Sequence, residues 1–179
     1  MDRRTAIRNC FILSVGTAIL PTCMQDRSKS GLLLKNIKIN SGQEQMVAAL
    51  ADAIIPATDT PGAKDVGAHL FVLMMVDDCY KPEEQEAFVT GLNQFEDLTR
   101  TKFKKDFVEL PLAQRTALLT EMEARKEEKD IEAIKFYKAV RGLTIQSFTG
   151  SQYYLTKVRV YEMVPGRYHG CVPVKTIKA

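Results

Sequence analysis

From Ser41 onward apolar residues return every three or four positions, and this spacing predicts a succession of helices. Ser41-Gly42-Gln43-Glu44 reads as a capping box, in which serine and glutamate each satisfy a free backbone N–H. Val47, Leu50, Ala51 and Ile54 follow on one face, and Pro56 stops the helix. Pro56 to Asp65 carries two prolines, a glycine and two threonines around Asp59, so it must be an ordered turn or loop. Within it Pro61-Gly62 signals a type II turn, with glycine accepting positive φ. Asp65 is placed to cap a second helix running to about Tyr80, with Val66, Leu70, Leu73, Met74 and Val76 or Asp77 along one side. That helix is apolar on more than one face, which predicts central burial.

Lys81-Pro82-Glu83-Glu84 opens a third helix, with proline in the first turn and carboxylates at the positive end of the dipole. Its stripe is Phe88, Leu92, Phe95 and Leu98. Asp106 to Leu110 breaks the pattern. Pro111 to about Glu128 is helical again, with Leu112, Leu118, Leu119 and Met122 inward, and ends in a charged turn from Arg125 to Asp130. A fifth helix takes Asp130 as cap and gathers Ile134, Tyr137, Val140 and Thr144, with Phe136 and Leu143 beside them. After Gly150 the texture changes to Tyr153, Tyr154, Val158, Val160 and Tyr161, a short helix or extended arm before Pro165-Gly166. The expected fold is mainly α: a single-domain bundle of about five helices with an irregular C-terminal arm.

Upstream of this domain, residues 1–22 have the three regions of an export signal: basic Arg3, Arg4 and Arg8, an uncharged run from Asn9 to Leu20, and Leu20-Pro21-Thr22 before Cys23. The run is too short for a membrane span, which needs roughly 20 apolar residues. The adjacent arginines look like a twin-arginine signal, a route for proteins already folded, though the phenylalanine usual after the pair is missing. Cys23 stands where a lipoprotein signal places its acylated cysteine, but Pro21 and Thr22 are unusual in that box, so lipid attachment at Cys23 stays open. Residues 23–40 read as a tether ending in a brief extended piece, Asn36 to Asn40. The expected location is the periplasm or cell envelope, with membrane attachment through a lipid if Cys23 is acylated.

The 179 residues include 25 basic and 22 acidic side chains, a net charge of +3. Losing Asp2, Arg3, Arg4 and Arg8 with the signal lowers it to +1. The remaining charges of both signs are interspersed, so nothing favours nucleic acid as a partner. Of four cysteines, Cys10 lies in the signal and Cys23 at its end, leaving Cys79 and Cys171 for the folded part. In an oxidising compartment they form one bridge or stay two unpaired thiols, and both readings stand.

The chain lacks the glycine-rich phosphate loop, Gly-x-Gly-x-x-Gly, His-Glu-x-x-His, Cys-x-x-Cys-His and Gly-x-Ser-x-Gly. Catalytic and metal residues are therefore expected to be none. Of two histidines, His69 falls mid-helix as a packed or hydrogen-bonded residue, whereas His169 sits in a loop where partner contact and plain exposure are both open. Asp77-Asp78 point about 100° apart on a helix and would not converge on one ion, so they read as a solvated helix end. Met74-Met75 read as core, and Lys102, Lys104 and Lys105, interleaved with Phe103 and Phe107, as a solvated helix end.

Two separated motifs carry a resemblance. Ala51-Asp52-Ala53-Ile54-Ile55-Pro56-Ala57-Thr58-Asp59-Thr60-Pro61-Gly62-Ala63, with Asp65 after it, resembles the gluconate 2-dehydrogenase subunit 3 family. Tyr161-Glu162-Met163-Val164-Pro165-Gly166-Arg167-Tyr168-His169-Gly170-Cys171-Val172-Pro173 is similar to that family's closing segment, with Leu110-Pro111 and Phe136-Tyr137 in family order between them. The resemblance implies a small, non-catalytic accessory subunit with no cofactor of its own. Its implied partner is a larger FAD-binding dehydrogenase subunit of the glucose-methanol-choline type, oxidising a sugar, sugar acid or polyol, with a cytochrome as a further partner. The implied role is to support folding, export and stability of the flavoprotein. Pro56, Pro61, Gly62, Ala63, Asp65, Pro165, Gly166, Arg167, Tyr168 and His169 are the candidate partner-contact or motif residues. The competing expectation is a free-standing envelope lipoprotein that binds a ligand or another envelope protein.

Overall fold

The computed structural model describes residues 32–124 and 130–159. They form five α-helices: α1 (Ser41–Ile54), α2 (Ala68–Cys79), α3 (Pro82–Phe103), α4 (Leu112–Ala124) and α5 (Ile131–Gly150). A 3₁₀ turn, Phe107–Glu109, lies between α3 and α4, and a π-helical turn, Tyr154–Val158, follows α5. The fold is mainly α, as the periodicity predicts. No strand occurs among the described residues, and no helix there is long and apolar enough to cross a membrane.

α5 is the hub, packing on α1, α2, α3 and α4, with its most extensive contact on α3. The α3–α5 seam is closed by aromatic edges: Phe88 meets Phe136 at 4.9 Å and Phe95 meets Phe136 at 5.8 Å, while Phe95 also meets Phe107 at 5.3 Å. Gly91 lets the two helices approach closely, since a Cβ there would stand 2.4 Å from the Glu132 carbonyl oxygen and 2.7 Å from Phe136 Cβ. Phe88, Leu92 and Phe95 are buried as the stripe predicts, and Leu98 packs at the core's edge.

Several boundaries differ from expectation, each for a local reason. α1 does begin at Ser41, but its cap is Asn40: the Asn40 side chain accepts from the Gln43 N–H at 2.9 Å, and Gln43 Oε1 accepts from the Asn40 N–H at 3.1 Å. The capping box is real but starts one residue earlier, because asparagine caps as well as serine. Asp65 does not cap α2. The chain turns through residues 63–67 first, and the N-cap position falls to Gly67 with φ 73°. α2 is not central either: Val72, Leu73 and Val76 are buried, whereas Met74 is 49% exposed, so Met74 is not core. In α4, Leu118, Leu119 and Met122 point inward but Leu112, in its first turn, is 46% exposed. The charged stretch 125–129 lies outside the described residues.

Residues 32–40 have no regular secondary structure, bend at 35 and 36, and belong to the folded unit. Ile37 and Ile39 are buried in the core, and Leu32 and Leu34 pack against it. The side chain that holds this arm is Asp77. Its carboxylate accepts from the N–H groups of Lys35, Asn36 and Ile37 at 2.8, 2.7 and 2.8 Å, and its own carbonyl accepts from Asn36 Nδ2 at 2.6 Å. Asp77 is therefore no solvated helix end: it is 3% exposed. Burial pushes its pKa up, but the three N–H donors prevail and hold it below the ordinary aspartate range.

Candidate functional site

The first of the two sequence motifs, the Pro56-to-Asp65 segment, is an exposed tip on a built base. At the base the Ala63 N–H donates to the Ile55 carbonyl at 2.9 Å and the Ala68 N–H to the Ala63 carbonyl at 3.0 Å. Ala63 is fully buried with Ala51 and Ala68, against Ile55, Val66 and Phe148. Gly62 is buried too, and its φ is not positive; among the described glycines only Gly67 takes a positive φ. The type II turn is thus corrected. Glycine is needed at 62 because a Cβ would stand 2.5 Å from the Ala57 nitrogen and 2.8 Å from the Ile55 carbonyl oxygen. Asp65, which is exposed, closes the same turn by accepting from the Gly62 N–H at 2.9 Å. Pro61 is half-buried, whereas Pro56 to Thr60 are exposed. Thr58 and Thr60 tie the tip internally, the Thr58 N–H donating to the Thr60 carbonyl at 3.0 Å. The motif therefore divides into residues that shape the base and residues that face outward.

Two adjoining clefts run along α1. One, of about 760 Å³, lies between the N-terminal half of α1 and the Asp106–Glu109 stretch, with Glu96 and Arg100 of α3 in its wall. The other, of about 420 Å³, continues past Ala48 and Ala49 to Asp52, Lys64, His69 and Arg115. Gln45 and Val108 line both. Arg115 is committed to the wall: Nε and Nη2 donate to the Phe107 and Val108 carbonyls at 3.2 and 2.7 Å, its Nη1 lies 3.6 Å from Asp52, and its guanidinium sits 5.6 Å from the centre of the Phe107 ring. Arg100 is paired with Asp106 at 2.6 Å. His69 Nδ1 is buried with no hydrogen-bond partner. Burial, opposed by Glu44 and assisted by Lys64, lowers the His69 pKa and favours the neutral ring. Burial also raises the Glu96 pKa, with Asp106 and Asp97 adding to it against Arg100.

Other candidates fall elsewhere. Cys79, at the end of α2, is exposed and forms no disulfide among the described residues, with Sγ 4.0 Å from Met75 Sδ. Cys23, Cys171, Pro165, Gly166, Arg167, Tyr168 and His169 lie outside the described residues, so the bridge and the closing motif have no structural counterpart here. Lys104 and Lys105 are exposed at the end of α3, and Lys102 pairs with Glu121; Phe107, by contrast, is buried and shares no face with them. Sequence reasoning missed both the Asp77 clamp and the trench along α1. For Asp77 a signal exists, a carboxylate inside an apolar helical stripe. For the trench there is none, because its walls come from four separate segments.

Among the described residues no group of three or more histidine, cysteine, aspartate or glutamate side chains is placed to hold a metal ion. Fold and surface together define a small helical protein whose distinctive features are an outward loop and a polar trench. Over residues 41–166 the chain matches the family model described as gluconate 2-dehydrogenase subunit 3, and it belongs to that family. No curated protein and no solved structure matches it.

Proposed function

We propose that this chain is the small, non-catalytic subunit of an exported FAD-dependent dehydrogenase of the glucose-methanol-choline type, acting on a sugar, sugar acid or polyol. Its role is to support folding, export and stability of the flavoprotein subunit, with the flavin in that partner and a cytochrome as the onward electron carrier. The observation that carries this reading is the family match, which extends from the first residue of α1 past the described end of the domain. The loop supports it in kind: Gly62, Ala63 and Asp65 build a fixed base that presents Pro56 to Thr60 to a neighbour. The basic start at Arg3 and Arg4 and the cysteine at 23 support an envelope location, with a lipid on Cys23 as the means of attachment.

The test is affinity purification of the tagged full-length chain from its native envelope. A co-eluting large subunit with flavin absorbance and sugar dehydrogenase activity is expected. A solitary, colourless chain from cells that express the flavoprotein would overturn the reading and favour the free-standing lipoprotein. Mass spectrometry of the same material reads the processing of Cys23 directly: an uncleaved, unmodified cysteine removes the lipid anchor.

A further inference from the structure

The two clefts beside α1 share Gln45 and Val108 in their walls and together form one trench along the helix. Its floor at Ala48 and Ala49 is made of small side chains, so a polypeptide backbone can approach α1 there. The trench cations are largely spent. Arg100 is bound to Asp106, and Arg115 to two carbonyls and Asp52. Glu96 and Glu109, at the same end, have no cation within salt-bridge distance among the described residues. The opposite end differs: Lys64 and the committed Arg115 stand there with Glu44 and Asp52, and the neutral His69 ring adds no charge.

We propose that this trench is the docking groove for an extended, basic segment of the flavoprotein subunit. A lysine or arginine side chain of that segment lies between Glu96 and Glu109, and its backbone passes over Ala48 and Ala49. The assignment rests on the proposed function and adds to it the place and chemistry of the contact. Pairing across the groove would also favour the Glu96 carboxylate, because an adjacent cation opposes the burial that raises its pKa.

The experiment uses the full-length chain and the purified flavoprotein identified above, with affinity read by biolayer interferometry and folding by thermal melts. Gln45→Trp fills the junction of the clefts from an exposed position, and Glu109→Lys reverses an exposed charge. Each should weaken binding at least tenfold with a melting temperature close to wild type, Glu109→Asp should stay within twofold, and wild-type binding should weaken as salt rises. Hydrogen exchange on the wild-type complex gives a second readout that needs no variant: protection should appear over residues 41–49 and 106–110. Binding within twofold for both Gln45→Trp and Glu109→Lys, or exchange unchanged in those segments, would overturn the groove. Loss with Gln45→Trp alone would overturn the basic occupant. Concentration-dependent self-association of the isolated chain, abolished by Gln45→Trp, would assign the groove to a second copy instead. A wild-type chain that does not bind the flavoprotein at all defeats the subunit reading itself, which separates that failure from failure of the groove.

Discussion

Asp77 shows how one side chain can fix a stretch of chain that has no regular secondary structure. Three consecutive N–H groups converge on a buried carboxylate, so residues 35–37 are held although they belong to no helix. Asp77→Asn keeps the shape but loses the charge and one acceptor, and should destabilise the protein by about 2–4 kcal/mol at neutral pH, since bonds to a buried charged group outweigh neutral ones. The folded-state pKa lies below the ordinary aspartate value of 3.8. The carboxylate's contribution is therefore complete above 3.8 and is lost as the pH falls through the lower folded value. Urea denaturation of wild type and Asp77→Asn at several pH values should show a constant gap above about pH 5 that narrows below about pH 4; a gap that widens in acid would contradict the clamp. Thr144 offers the converse. It is fully buried with Oγ1 unpartnered, so Thr144→Val, nearly the same shape without the hydroxyl, should raise stability by about 1 kcal/mol in the same assay.

Between elements, the closeness of α3 and α5 depends on the absence of a side chain at Gly91. Gly91→Ala improves local helix propensity by about 1 kcal/mol, but its Cβ cannot coexist with the Glu132 carbonyl at 2.4 Å. The atom in the way is backbone, so the helices must separate and the Phe88–Phe136 contact opens. The net expectation is a loss of about 1–3 kcal/mol, seen as a lower melting temperature and changed near-ultraviolet dichroism; a stabilised variant would show the seam to be adjustable. At the α4–α5 contact, Tyr137 is held differently. Its hydroxyl donates to Glu123 Oε1 at 2.8 Å, and burial together with that carboxylate pushes its pKa up to about 12, so the phenol stays protonated and the bond persists through the physiological range.

For the molecule as a whole, the Pro56-to-Asp65 motif divides into residues that shape the loop and residues that face outward. Substitution at Gly62 acts through the fold, because any side chain strikes backbone. Substitution at the exposed tip does not: if the tip meets the proposed flavoprotein partner, Asp59→Lys with Thr58→Ala should leave the melting temperature within a degree or two while weakening its capture about tenfold or more, equivalent to about 1.4 kcal/mol. Undiminished capture would confine the motif to shaping its own loop. Loop and trench are linked through Lys64, which follows the buried Ala63 in sequence and lines the His69 end of the trench.

Helix number, order and most inward faces are legible in the sequence because each depends on neighbours three and four positions apart. Phe88, Leu92 and Phe95, or Ile134, Tyr137 and Val140, need no knowledge of the rest of the chain to be placed on one face. The family, too, is written in local motifs. What failed was decided by distant contacts. The type II turn at Pro61-Gly62 lost to the backbone of residues 55–57, the Asp65 cap gave way to a turn closed on Gly62, and α2 leaves Met74 exposed while Val72, Leu73, Val76 and Asp77 are buried. Asp77 becomes a clamp only when residues 35–37, some forty positions earlier, are brought beside it. The trench exists only because α1, α2, α3, α4 and the connecting turns meet around it. Periodicity and capping are short-range properties that a sequence carries residue by residue, whereas clefts, clamps and close backbone approaches are set by chain segments that only packing makes neighbours.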